Sequence, residues 1–115
     1  MKEIQVVARC RIHEGKLEAF KAAARACLAN TREKDKGTLE YDWFFNPDKT
    51  ECVVLETYRD SEAVLGHVEN LGEKVHALLG TCDFSIELFG DVSPALRELL
   101  EAFPHRIYDH YFQGL

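Results

Sequence analysis

Glu56, Tyr58, His67 and Asn70 stand close together in the stretch ETYRDSEAVLGHVENLGEKVHALL, residues 56–79. An imidazole has an ordinary pKa near neutrality, so a histidine at the rim of a core can take up or return a proton under mild conditions. His67 is three residues after Val64 and four before Leu71. That spacing puts it on the flank of an apolar helical stripe formed by Val64, Val68, Leu71, Val75 and Leu78, at the core edge rather than in the middle. Gly66 beside it removes side-chain bulk, and Asn70 lies one turn further along the same face. Gly72 is expected to interrupt the helix. A helix gives up roughly 1 kcal/mol at each interior glycine, so a demand other than local stability is sought for both. Two readings of His67 stay open, a general base or a hydrogen-bonded structural residue. Glu56 likewise can act in a site or pair with a neighbouring arginine.

The elements that must hold these groups are legible from their periods. Ile4 to His13 alternates, with Ile4, Val6, Ala8, Cys10 and Ile12 on one face, as in a half-buried strand. Glu14-Gly15-Lys16 turns into a helix carrying Leu17, Phe20, Ala24, Cys27, Leu28 and Thr31 at helical spacing, and the polar run ending at Gly37 stops it. A second strand, Thr38 to Asn46, places Leu39, Tyr41, Trp43 and Phe45 on one face. Asn46-Pro47-Asp48-Lys49 is a turn, and a third strand, Glu51 to Arg59, completes a hairpin. Asp60 or Ser61 caps the helix that bears His67. Thr81 to Asp91 is a fourth strand with Phe84, Ile86 and Leu88 inward. Ser93-Pro94 opens a short helix that ends before Pro104, and Ile107 to Phe112 form a short strand or arm. The order β-α-β-β-α-β predicts an α+β chain of the ferredoxin-like, split βαβ kind. Its two helices would lie on one face of a four-stranded antiparallel sheet. One domain is expected over residues 1–115, with a core of 1–91 and a C-terminal helix and arm over 92–115.

The bulk properties exclude several classes. A formal charge of −6 on 115 residues argues against a nucleic-acid surface, which needs clustered Lys and Arg. No apolar run approaches the ~20 residues that cross a bilayer, and MKEIQVVARC shows no signal-peptide pattern, so a cytoplasmic location is expected. Cys10, Cys27, Cys52 and Cys82 stand singly, without a CxxC. They read as small buried hydrophobes, and no metal site is expected. Nucleotide-binding loops and nucleophile elbows are missing from the sequence. The sheet face left free by the helices would carry Arg9, Arg11 and His13 beside Asp83, Ser85 and Glu87, with Glu40, Asp42 and Phe44 on the far edge. Opposite charges would pair across strands. Val7, Phe44 and Phe89 on that face favour packing on a second copy.

VARCRIHEGKLEAFKAA, GTLEYDWFFNPDKTECVVLETYRDSEAVLGH and the closing YFQGL cover most of the chain. With Glu56, Tyr58, Glu62-Ala63 and His67 in that order, the sequence resembles the antibiotic biosynthesis monooxygenase-like proteins of the dimeric α+β barrel superfamily. The resemblance implies a homodimer with facing sheets and a small pocket between each subunit's sheet and helices. It also implies a cofactor-independent monooxygenase that oxidises a small electron-rich aromatic, of quinol or anthrone type, with dioxygen. His67 would be the base that removes a phenolic proton. Tyr41, Trp43 and Tyr58 would wall an aromatic slot, although Tyr41 and Trp43 read as core residues too. Asn70 or Tyr58 would hold the developing oxyanion, and Glu56 would line the substrate site. Two other classes stay open. One is a small-molecule-binding dimer without turnover. The other is haem degradation, also found in the superfamily, with a helical His such as His76 on iron. Those relatives carry an Asn in the first strand and a Trp in the second helix, where this sequence has Ala8 and His67. His105 and His110 in the tail form no pattern.

Overall fold

The computed structural model describes residues 2–115. The chain runs β1 (Ile4–Ile12), α1 (Leu17–Lys34), β2 (Thr38–Phe45), β3 (Glu51–Tyr58), α2 (Ser61–Leu71), α3 (Lys74–Leu79), β4 (Cys82–Phe89), α4 (Pro94–Leu100) and β5 (His105–Tyr108). This is an α+β, ferredoxin-like arrangement. The sheet order is β2-β3-β1-β4-β5. The four strands expected from the sequence pair antiparallel, but the sheet has five strands and is mixed. β5 adds to β4 in parallel, with Leu88 opposite Ile107 and Phe89 opposite Tyr108. A parallel neighbour needs a crossover connection, and α4 supplies it.

Alternation in β1 sends Ile4, Val6, Ala8 and Cys10 into the core. Phe20 of α1 and Cys52 and Val54 of β3 pack on one half of that face, and Tyr58, Val64, Leu88 and Leu96 on the other. All four cysteines are buried free thiols. The uncovered face carries the charge pairs read from the strands, Arg9 to Glu87 at 3.3 Å and His13 to Asp83 at 3.0 Å. Leu39 departs from expectation. A bulge between Thr38 and Glu40 takes it out of the ladder and leaves it exposed, instead of inward with Tyr41 and Trp43.

The second helical stretch is split. Asp60 caps α2 by accepting from the Ala63 amide at 2.9 Å, and Gly72 ends it at φ +53°, a backbone region in which L side chains are strained. α3 then resumes the apolar stripe. Among the described residues no helix is long and apolar enough to cross a membrane.

Candidate functional site

Between sheet and helices lies a cavity of about 80 Å³ with apolar walls. Its roof is the stripe read from the sequence, for Val64, Val68, Leu71, Val75 and Leu78 all line it. Its floor is the inward face of the sheet. Leu96, Leu99 and Leu100 of α4 and Phe103 close one end. A largely apolar pocket with a few polar groups is the usual form of a small-molecule site. The polar groups here are Tyr41, Trp43, Glu56, Tyr58 and His67.

Strand register explains how three of them meet. Glu56 on β3 is flanked by Val6 of β1 on one side and Tyr41 of β2 on the other. Tyr58, two residues on, points the same way as Glu56, and its hydroxyl donates to Glu56 Oε1. Both side chains are buried, and among the described residues no arginine pairs with Glu56. Burial in apolar surroundings disfavours the carboxylate and pushes the Glu56 pKa up to about 7, against the opposing hydrogen bond from Tyr58. Burial, reinforced by the adjacent carboxyl, holds both tyrosine hydroxyls well above their usual range.

His67 is more deeply placed than a flanking position suggests, at 5% exposure. Its ring lies edge-on to Tyr41, with centroids 4.9 Å apart, and tilted against Tyr58 at 5.4 Å. Its Nδ1 is 2.7 Å from Asp35 Oδ2. Asp35, the residue after α1, was not among the residues singled out in the sequence. It sits in the polar run TREKDKG, where one carboxylate looks like its neighbours. Burial opposes its charge, but hydrogen bonds from Thr38, Asn70 and His67 overcome this and hold its carboxyl below the ordinary range. Burial also lowers the His67 pKa, with Asp35 acting against that shift. At neutral pH the imidazole is therefore neutral and the aspartate ionised. Nδ1–H donates to Asp35, which leaves the Nε2 lone pair as the acceptor.

Asn70 does not line the cavity. Its side-chain amide donates to Asp35 Oδ1 at 2.9 Å, and its backbone carbonyl accepts from the side-chain amide of buried Asn30 of α1 at 2.8 Å. It braces the Asp35–His67 pair from outside. Trp43 packs between Tyr41 and Phe20, at 5.4 and 6.0 Å, and its buried Nε1–H has no partner among the described residues. A buried donor without a partner is costly. His76 is exposed on α3 and takes no part in the cavity wall, so it does not offer the cavity an axial ligand. Among the described residues no cluster of three or more His, Cys, Asp or Glu is arranged to hold a metal ion.

A family model described as antibiotic biosynthesis monooxygenase matches residues 4–74. No curated protein sequence matches the chain. Among solved structures, MupZ from Pseudomonas fluorescens is similar over 100% of this chain and 95% of its own, with a TM-score of 0.83 and 22% identity. Rv0793 from Mycobacterium tuberculosis is similar over 81% of this chain and 98% of its own (TM-score 0.69, 21% identity). SnoaB from Streptomyces nogalater, described as a cofactor-independent oxygenase, is similar over 81% and 96% (TM-score 0.66, 17% identity). At these identities the likeness is one of fold.

Proposed function

The chain belongs to the antibiotic biosynthesis monooxygenase family, and on that premise we propose that it oxidises a small electron-rich aromatic, of quinol or anthrone type, with dioxygen and without a cofactor. The observation that carries the reading is His67, a neutral imidazole anchored through Nδ1 to an ionised Asp35 on the wall of an apolar cavity. Nε2 takes the phenolic proton, and Asp35 stabilises the imidazolium that results. The aryl oxide passes one electron to dioxygen. The radical pair, kept from water by the apolar walls, recombines to a carbon-bound peroxide. His67 returns its proton to the peroxide and then takes the hydrogen from the carbon that bears the peroxide. As the O–O bond breaks the carbonyl forms, Glu56 protonates the departing hydroxide to water and is reprotonated from His67, so that substrate and dioxygen balance against ketone and water. Tyr41 and Tyr58 hold the ring, and the unpartnered Trp43 Nε1–H takes a substrate oxygen as its acceptor. Asn70 acts through Asp35 rather than on the oxyanion.

Oxygen uptake with a quinol is the test. The wild type consumes dioxygen, and its product is a quinone carrying one oxygen atom taken from dioxygen, with water rather than hydrogen peroxide formed beside it. His67→Ala slows this by roughly 100-fold or more and leaves the fold intact. Uptake that is the same in both proteins, or missing in both, sinks the reading. One observation favours a second: Glu56 is a carboxylic acid near neutrality in the same cavity as a base. Such a pair suits a redox-neutral rearrangement, for which the product would have unchanged mass and form without oxygen. Saturable binding with no product would leave a binding protein.

The proposal includes a single domain over residues 1–115 in a cytoplasmic homodimer. Exposed Phe44 and Leu55 on the uncovered sheet face support the pairing. A stable interface of this kind buries about 1,600 Å² in total. Light scattering at micromolar concentration should give twice the 13.1 kDa chain mass; a monomer there refutes it.

A further inference from the structure

At about 80 Å³ the cavity is too small, as it stands, to enclose a quinol; an apolar cavity that takes up benzene measures about 150 Å³. A ligand must therefore push a wall aside or reach out through an opening. Six lining residues mark the opening, because they are also partly exposed: Val68, Val75, Phe84, Ile86, Leu99 and Phe103. Phe84 packs with the core cluster that includes Leu78 of α3, and Ile86 and Leu99 pack with the cluster that includes Leu96 and Leu100 of α4. The mouth thus follows the seam between the two halves of the core, over β4. The Phe103 ring meets Phe84 edge-on across that seam, with centroids 5.7 Å apart. Tyr41 and Trp43 are partly exposed as well, but they border separate clefts along the edge strand β2.

The walls differ in what holds them. Strand ladders fix the floor. Asn30 and Asp35 tie down α2 through Asn70 and His67. The α4 segment is anchored at its start, where the Ser61 hydroxyl donates to the Asp91 carbonyl and accepts from the Ser93 amide. It is anchored again past its end, where the Ile86 amide donates to the Pro104 carbonyl. Between these anchors the side chains facing the cavity, Leu96, Leu99, Leu100 and Phe103, are all apolar. They can shift at a cost in dispersion contacts alone, with no buried side-chain hydrogen bond to break. The polar groups lie at the opposite end. Tyr41, Trp43, Glu56 and Tyr58 stand on β2 and β3, and β1 separates them from β4. From β3 to β4 is two strand spacings, roughly 10 Å, more than a single aromatic ring covers. None of the six rim residues has a polar side chain.

We propose that the cavity takes an elongated ligand, with its phenolic ring at the β2–β3 end and an uncharged hydrocarbon substituent displacing Phe103 from Phe84 to fill the mouth over β4. The proposal rests on the reading that the cavity binds a small aromatic. Binding is read under argon, where no turnover intervenes, by the fluorescence of Trp43, the single tryptophan and a cavity residue. Hexylhydroquinone should bind roughly 30-fold more tightly than methylhydroquinone, because the added methylenes leave water. The acid 2,5-dihydroxyphenylacetate should bind roughly tenfold more weakly than methylhydroquinone, because its carboxylate meets the apolar rim. Leu99→Asp and Val75→Asp place a charge on either rim at partly exposed positions. Each should collapse the hexyl-to-methyl ratio to roughly threefold or less, with Tm verifying the fold. A wild-type ratio near one, an acid bound as tightly as methylhydroquinone, or a ratio kept in both folded variants overturns the mouth and leaves the cavity reading standing. If neither variant folds, the three quinols on the wild type still decide. Failure of all three to bind overturns the cavity reading as well.

Discussion

Replacing Glu56 by Gln isolates one buried ionisation. The folded protein holds this carboxyl at about 7, against an ordinary value of 4.5. Below pH 4.5 the group is neutral whether the chain is folded or not, and burial costs no ionisation. As pH rises from 4.5 to 7 the unfolded chain releases the proton and the folded chain keeps it, so stability falls. The difference of about 2.5 pKa units amounts to about 3 kcal/mol, fully expressed by pH 8. Gln keeps a carbonyl oxygen for the Tyr58 hydroxyl and has no charge to bury. Asp35 and His67 work in the opposite sense. Their folded pKa values are lowered, so their stabilisation is lost as pH falls below their unfolded values. Both remain in the variant and cancel in the comparison. Urea unfolding of the two proteins from pH 4 to pH 8 should show Glu56→Gln gaining on the wild type with rising pH, by about 3 kcal/mol across the range. A stability difference that does not change with pH would show that Glu56 is ionised in the fold, and would remove it as a proton donor.

The buried Asp35–His67 contact leads to a second expectation. Asp35→Asn removes the charge that holds the His67 pKa up, so the acid limb of the rate–pH profile should move to lower pH while kcat falls roughly 100-fold; an unmoved limb separates Asp35 from the base. The same change should cost about 1–3 kcal/mol of stability, since Thr38, Asn70 and His67 all donate to this carboxylate. The four thiols should react slowly with a thiol reagent until the chain unfolds, because Cys10, Cys27 and Cys52 are fully buried and burial holds the Cys27 and Cys52 thiols above their ordinary range. Fast reaction of all four in the folded protein contradicts that burial.

Local periods carried most of the architecture. The two-residue repeat of Ile4 to Ile12 and the three-and-four spacing of Val64, Val68, Leu71, Val75 and Leu78 each encode which face is buried. Such a pattern depends only on the backbone's own geometry, so the cavity roof could be read before any contact was known. Alternation placed Tyr41 and Trp43 on an inward face, and helical spacing placed His67 beside the stripe, but Tyr41, Trp43, Glu56, Tyr58 and His67 as a set of site residues followed from the family resemblance and not from a period. What no local pattern holds is a pairing between distant segments. Asp35 and His67 are 32 residues apart, and nothing in TREKDKG distinguishes that carboxylate until α1 and α2 pack and Asn30 and Asn70 tie them together. The bulge that exposes Leu39 interrupts a good alternation, because it is set by the register of β2 on β3 rather than by β2 itself. β5 is four residues of mixed character, too short for a period, and becomes a strand only because β4 presents it a free edge. The sequence by itself determined which residues face inward. Only the tertiary structure decided which inward residues touch, and therefore which histidine nitrogen is left free and which carboxyl keeps its proton.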